Sequence, residues 1–393
     1  MIKIELKYLF SSGKIKNVRI KNRIVRSGTY ERRATKDGYV TDRLIKMYTD
    51  LAQGGTGLII TGAMAVDPKS SGSQNQTYLY DDSFIPGQKK LVEAVHDYSD
   101  VRIAPQFVHI GRQANLNPKY SPPVGPSPIL NKLSNLVPRE LTVEEIRAII
   151  EKFVDAGRRA YEIGYDMVQV HAAHGYLLSD FVSPFANKRN DEYGGDTQKR
   201  TKILVDIYNR LRDEVGKNFP IIIKLQTQDF ISGGLTVNEA KEITKILVDV
   251  GYDAIEPSGG SGESMLESMR VLKKAYPSTV IKTPEDENYF LSTAKELKPI
   301  MNDCQLILVG GIKNPLSAEK ILKENHADFI SMCRPLLYEP DLPNRWKSGD
   351  LSPALCKSCN SCLATMMRGE VYCVVKKRIE KRKLRKEKDM LKK

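Results

Sequence analysis

His171, His174 and Tyr176 fall within the six residues HAAHGY, directly after the apolar run DMVQV. The histidines stand three residues apart, where an apolar strand would open into a loop, so both imidazoles can reach one ligand atom. Converging on an oxygen, they can polarise a carbonyl or nitro group while the phenol supplies a proton. Two other uses suit the same residues. They can be a hydrogen-bonded structural pair, or two ligands of a metal, for which zinc or iron would require further His or carboxylate ligands.

A second group, Cys356-x2-Cys359-x2-Cys362-x10-Cys373, gathers four of the six cysteines near the end of the chain. Four thiolates at that spacing can bind a [4Fe-4S] cluster or a zinc ion, and the third reading is four unligated thiols. Such clustering is not the disulfide framework of a secreted protein, and it points to a reducing compartment. Lys224 is the third chemical signal, a lone charge inside the apolar run IIIKLQ. Burying it is costly without an anionic partner, and the alternative is a stem that carries the ammonium out to water.

The elements that must position these groups alternate in type. Eight β-branched runs read as strands: 23–28, 57–63, 102–108, 166–172, 221–226, 253–258, 305–311 and 328–333. Segments of helical period separate them, which predicts parallel strands joined by helices and an α/β fold, a (β/α)8 TIM barrel. A ninth run, 279–283, is followed at once by Pro284 and is expected to be loop. LTVEE at 141–145 and LTVNE at 235–239 repeat one helix start, with Thr142 and Glu145, and Thr236 and Glu239, at capping-box spacing. Both helices are expected to end at Gly-Tyr-Asp before a strand. Insertions after the second strand (67–85) and third strand (110–140) fall at the C-terminal mouth, where they are expected to wall a substrate pocket.

Composition bounds the rest. The chain has 393 residues, 41% hydrophobic and 28% charged, enough for a large core and too apolar for wholesale disorder. No run approaches a membrane span and the start lacks a secretory core, so a soluble cytoplasmic protein is expected, with no membrane partner. Net charge is +13, but residues 376–393 hold eleven Lys or Arg against three acidic residues, which leaves the body at +5. That tail reads as a solvated, frayed extension, and a nucleic-acid partner is not expected. The domains are thus a barrel (1–350), a cysteine extension (351–375) and a basic tail (376–393). Oligomeric state is open, a homo-oligomer included.

Several segments in order carry a family resemblance: KNRIVRSG (21–28), QFVHIGRQA (106–114), HAAHGYLLSDFVSPFANKRNDEYGG (171–195), VGGI (309–312) and SMCRPLLYEPDLPNRW (331–346). The chain resembles the Old Yellow Enzyme family of FMN-dependent NAD(P)H:flavin oxidoreductases, in the branch with 2,4-dienoyl-CoA reductase and 2-enoate reductase. The resemblance implies FMN across the barrel mouth. Ser27, Gly28, Thr29 and Tyr30 would hold the flavin by backbone contacts, Ala63 would line the ring, and Gln106 would meet its pyrimidine edge. Lys224, where the family usually has Arg, would face flavin N1 and O2. Gly310 and Gly311, with Cys333 and Arg334, would cradle the phosphate, Cys333 replacing the usual glycine. His171 and His174 would then hold the oxygen of a small unsaturated substrate, and Tyr176 would protonate its α-carbon after hydride reaches the β-carbon. NADH or NADPH would reduce the flavin first, in the same pocket.

Two departures mark this chain. Tyr30 stands where relatives often place Thr or Cys near flavin N5, with Glu31, Arg32 and Arg33 behind it. The four cysteines resemble the branch's cluster site with one residue fewer between the second and third, and the FAD and NAD(P)H domain that follows there is not expected here. Two rival readings make different predictions. A metal-dependent barrel hydrolase built on His171 and His174 would be colourless, and a non-catalytic Fe–S or nucleic-acid-binding protein would bind polyanions in a salt-sensitive way.

Overall fold

The computed structural model describes residues 5–71, 74–98, 100–116, 123–271, 278–366 and 369–390. Pro118 and Pro122 of the second insertion, and residues 391–393 of the tail, lie outside them. Eight strands close into a parallel barrel in chain order: Ile24–Arg26, Leu58–Ala65, Arg102–Val108, Val168–Ala172, Ile221–Gln226, Ala254–Ser258, Gln305–Val309 and Phe329–Met332. Seven lie within the runs read from the sequence, and the second, read as 57–63, continues two residues further to Ala65. Residues 279–283 pair with no strand, as the following proline predicts.

Closure follows from alternation. Successive side chains of a strand point to opposite faces, so each strand sends one set outward against helices and another into the barrel. The outward set packs under the long amphipathic helices Val143–Ile163, Thr197–Val215 and Val237–Val250. Both predicted capping boxes form, Thr142 with Glu145 and Thr236 with Glu239, and the two helices end at left-handed Gly164 and Gly251. The lower interior is apolar, filled by Val25, Leu58, Ala104, Met167, Ile222, Ala254, Ile307 and Phe329. A hairpin of Gly13–Ile15 and Val18–Ile20 plugs this end with Ile15 and Ile20. No sequence signal singled it out.

Two residues further along the strands, toward their C-terminal ends, the interior changes character. Ser27, Gln106, Gln169, Lys224, Glu256 and Ser331 occupy that level, all buried. His171, Gln226 and Ser258 form the level above. The barrel is therefore greasy at one end and polar at its mouth.

Both insertions bond to the mouth: Gln76 Nε2 donates to Ala63 O at 2.8 Å and Gln113 Nε2 to His174 O at 3.0 Å. Arg189, after the fourth strand, donates to the carbonyls of Pro126 at 3.0 Å and Leu141 at 2.6 Å, which ties the second insertion down. The cysteine extension packs on the loops of the first, seventh and eighth strands: the Ala354 amide donates to Lys313 O, the Val371 amide to Glu31 O, and Trp346 Nε1 to Ser352 O. Residues Val374–Met390, which include most of the basic tail, form a helix with no buried residue. Its long Lys, Arg and Glu side chains favour helix. Among the described residues no helix is long and apolar enough to cross a membrane.

Candidate active site

His171, next to last in the fourth strand, lies beside Lys224 of the fifth, in direct register. The turn that follows is strained. His174 has φ +69°, a left-handed conformation unusual for a non-glycine residue, and Gly175 follows at +73°. It is held by several bonds: the His174 amide donates to Gln226 Oε1 at 2.9 Å, and Gln113 Nε2 donates to the carbonyls of His174 and Gly175 at 3.0 and 2.9 Å. The turn brings three rings together. His171 lies edge to face with His174 at a centroid distance of 5.0 Å and with Tyr176 at 5.1 Å.

Burial sets the protonation of this trio. Desolvation, then the charges of His174 and Lys224, push His171 well below its ordinary value, and desolvation with Lys224 pushes His174 down to about 3. Desolvation raises Tyr176, which stays a phenol. The Ala173 amide donates to His171 Nδ1 at 3.3 Å, which places the proton of the neutral ring on Nε2. His174 Nε2 lies 2.7 Å from Ser258 Oγ. Two neutral imidazoles beside a protonated phenol can donate hydrogen bonds to an oxygen and deliver a proton. No carboxylate completes a metal site with them, and among the described residues no three His, Cys, Asp or Glu side chains stand together to hold a metal.

Beneath the trio, the polar level is one connected network. Lys224 Nζ is 2.7 Å from Glu256 Oε2 and donates to Ser27 Oγ at 3.2 Å. Gln106 Nε2 donates to Gln169 Oε1 at 2.7 Å, and Gln169 Nε2 donates in turn to Glu256 Oε2 at 3.0 Å. At 2% exposure, Lys224 does not reach out to water; its anionic partner is Glu256. Sequence reasoning missed Glu256 and Gln169. The signal was present, since Glu256 is the single charge in the strand core AIEPS just as Lys224 is in IIIKLQ.

The remaining predicted residues sit around this centre. A Cβ on Gly28 would fall 2.6 Å from Gln106 Nε2, so that glycine lets the carboxamide lie against the first-strand loop. Ala63 is in register with Gln106. Thr29 Oγ1 donates to Cys333 Sγ at 2.8 Å, which joins the first and eighth loops. Gly310 and Gly311 have φ of +116° and +78°, and a Cβ on either would strike Tyr289. Behind Tyr30, the charged residues are not loose: Arg33 pairs with Glu370 at 2.8 Å, and Glu31 is buried against Arg26 and Tyr48. Arg334 Nη1 donates to Thr279 O at 2.9 Å, Ser358 O at 3.3 Å and Asn360 Oδ1 at 2.6 Å. It therefore anchors the cysteine extension as well as lying after the eighth strand. Cys356, Cys359, Cys362 and Cys373 line one hollow with Arg334 and Asn360. Their donor type suits a thiolate-bound group, while the thiols do not stand in a ligating arrangement.

A closed (β/α)8 barrel whose polar mouth carries a carboxamide, a buried ammonium and a His–His–Tyr trio defines a barrel enzyme with its chemistry at the C-terminal face. The chain belongs to the NADH:flavin oxidoreductase / NADH oxidase family, whose model matches residues 8–351, and is of the Old Yellow Enzyme type. It is 37% identical over 366 residues to an NADH oxidase of Thermoanaerobacter brockii, covering 93% of this chain and 54% of that protein. The chain thus spans about half the length of that relative. Among solved structures it is similar to a 2-naphthoyl-CoA reductase complex, with TM-score 0.85 and 27% identity over 95% of this chain and 57% of the other. It is similar also to the Old Yellow Enzyme homologue of Zymomonas mobilis, with TM-score 0.73 and 25% identity over 89% and 95%. The family's description names NADH and a flavin.

Proposed function

We propose that the chain is an FMN-dependent ene-reductase, which takes reducing equivalents from NADH or NADPH and reduces an alkene activated by a carbonyl, carboxylate or similar group. The observation that carries this reading is the trio of neutral His171, neutral His174 and protonated Tyr176 above a buried ammonium. Bound flavin supplies hydride to the electron-poor β-carbon. The residues that would hold it are the backbone of Ser27, Gly28, Thr29 and Tyr30, with Ala63 lining the ring, Gln106 for its pyrimidine edge and Lys224 as the cation beside it. Gly310, Gly311, Cys333 and Arg334 would take the phosphate.

The protein's own groups do the rest. His171 Nε2–H donates to the substrate's electron-withdrawing oxygen, and His174 supports it from the neighbouring ring; both draw charge away from the β-carbon. As neutral donors they stabilise the developing enolate oxygen without giving up a proton. Tyr176 delivers its phenolic proton to the α-carbon. Its raised pKa keeps that proton in place until a carbanion of higher basicity forms.

On donor type and spacing alone, the four cysteines are candidate ligands of a [4Fe-4S] cluster or zinc ion, for which the thiols would have to move together. Iron, sulfide and zinc analysis of anaerobically purified protein decides between them, and thiols carrying neither metal overturn that assignment. The catalytic reading is tested with chain loaded with FMN under argon. NADH or NADPH is expected to bleach the flavin band, and 2-cyclohexenone to restore it. A polypeptide that takes up no FMN, or one whose bleached form ignores every activated alkene offered, overturns it.

A further inference from the structure

Glu256 is completely enclosed, at 0% exposure, and each of its oxygens meets two donors. Oε1 accepts from Ser27 Oγ at 2.8 Å and Ser331 Oγ at 2.9 Å. Oε2 meets Lys224 Nζ at 2.7 Å and Gln169 Nε2 at 3.0 Å. The donors come from the first, fourth, fifth and eighth strands, so the carboxylate is the hub of the polar level. Glu256 and Lys224 are in register on adjacent strands. Burial alone would push this carboxyl up, but the Lys224 ammonium and the bonds from Gln169 and Ser27 more than reverse that, and hold it below its ordinary range. It is an anion.

A buried lone ammonium would present a full positive charge to whatever lies above it, and in a low-dielectric site that charge acts strongly. The pair cancels at a distance and leaves a dipole. Glu256 also reaches Gln106 through Gln169, so the same side chain orients the carboxamide and the cation.

We infer that Glu256 is a positioning and charge-setting residue for the flavin, a built-in counter-ion that holds Lys224 in place and lowers the electron affinity of the bound ring. The inference rests on the proposed placement of FMN above Lys224. With the carboxylate present, the negative charge that the ring gains on reduction is met by a neutral pair instead of a bare cation. Removing that charge makes reduction easier.

The test is the midpoint potential of FMN bound to the holoprotein, read by anaerobic titration against a reference dye, in the wild type, Glu256→Gln and Glu256→Asp. Glu256→Gln is expected to shift the oxidised/reduced ratio at least tenfold toward reduced, which is about 30 mV for a two-electron couple. Glu256→Asp keeps the charge and is expected to stay within about threefold of the wild type. A folded, FMN-loaded Glu256→Gln with an unchanged ratio overturns the inference. Should Glu256→Gln fail to fold or load while Glu256→Asp succeeds, the requirement for a negative charge is upheld; failure of both shows a purely structural role and overturns it. A wild type that binds no FMN refutes the flavin placement itself, and that result is distinct from all of these.

Discussion

At the residue scale, the state of three protons governs the site. Tyr176 is a phenol lifted by burial, so Tyr176→Phe removes the proton and leaves the ring in place. Reoxidation of reduced enzyme by an enone is expected to slow by about 10²-fold or more, the ordinary worth of a general acid. Flavin reduction by NAD(P)H is expected to change little, and single-turnover measurement of the two half-reactions separates them. Equal loss in both would remove Tyr176 from the proton-donor role. His171 is held well below its ordinary value and His174 near 3, so affinity for a neutral enone is expected to stay flat from about pH 6.5 to 8. Replacing both with Ala is expected to weaken it by about 2 kcal/mol or more, two hydrogen bonds' worth, with flavin content unchanged. Equilibrium titration of the flavin band reads both.

At the scale of elements, the helix starts and the loop contacts can be probed separately. Thr236 caps the helix Val237–Val250 through the Glu239 amide at 3.3 Å, and Glu239 Oε2 accepts the Thr236 amide at 3.0 Å. Thr236→Ala is expected to cost about 1 kcal/mol, seen as a lower urea midpoint with an unchanged slope. Gly28→Ala puts a methyl 2.6 Å from Gln106 Nε2, too close for both to stay. The carboxamide must then leave its bond to Gln169, and weaker FMN binding is the expected result, measured by flavin fluorescence on dilution. These elements were legible because their signals are local. A capping box occupies four residues, and an alternating apolar run needs no distant partner to declare itself a strand. The hairpin at residues 13–20 was not legible. Its strands are three residues each, and only Ile15 and Ile20 entering the barrel base makes them stable.

For the molecule as a whole, buried neutral histidines couple stability to pH. Desolvation lowers His109 to about 4 and His174 to about 3, against 6.5 in the unfolded chain. The unfolded state therefore binds more protons throughout that interval, and stability falls as pH drops from about 6.5 toward 4. Above 6.5 the effect vanishes. His109 alone can account for up to about 3 kcal/mol of this loss, at about 1.4 kcal/mol per pH unit. Thermal unfolding from pH 7.5 to 4.5 is expected to show the decline, and His109→Gln to flatten part of it; a Tm that holds steady down to pH 4.5 would contradict the buried neutral state. The basic helix behaves oppositely. It buries nothing, so deleting residues 378–393 is expected to leave Tm of the barrel within about 1 °C.

By itself, the sequence determined the eight-unit barrel, because strand and helix periods are written in the side chains. It also determined the trio at its mouth, because HAAHGY follows a strand that can end nowhere else. Lys224 shows the limit of such reading. Its burial cost demanded an anion, and the partner lies 32 residues away on another strand, at a level that exists only once the barrel has closed. Tertiary structure likewise gave Arg334 its bonds to the cysteine extension and drew Arg33 onto Glu370, since both pairs join segments far apart in the chain. A single strand can show that a charge is expensive, but which group neutralises it is a question of distance, and folding alone sets distances between strands.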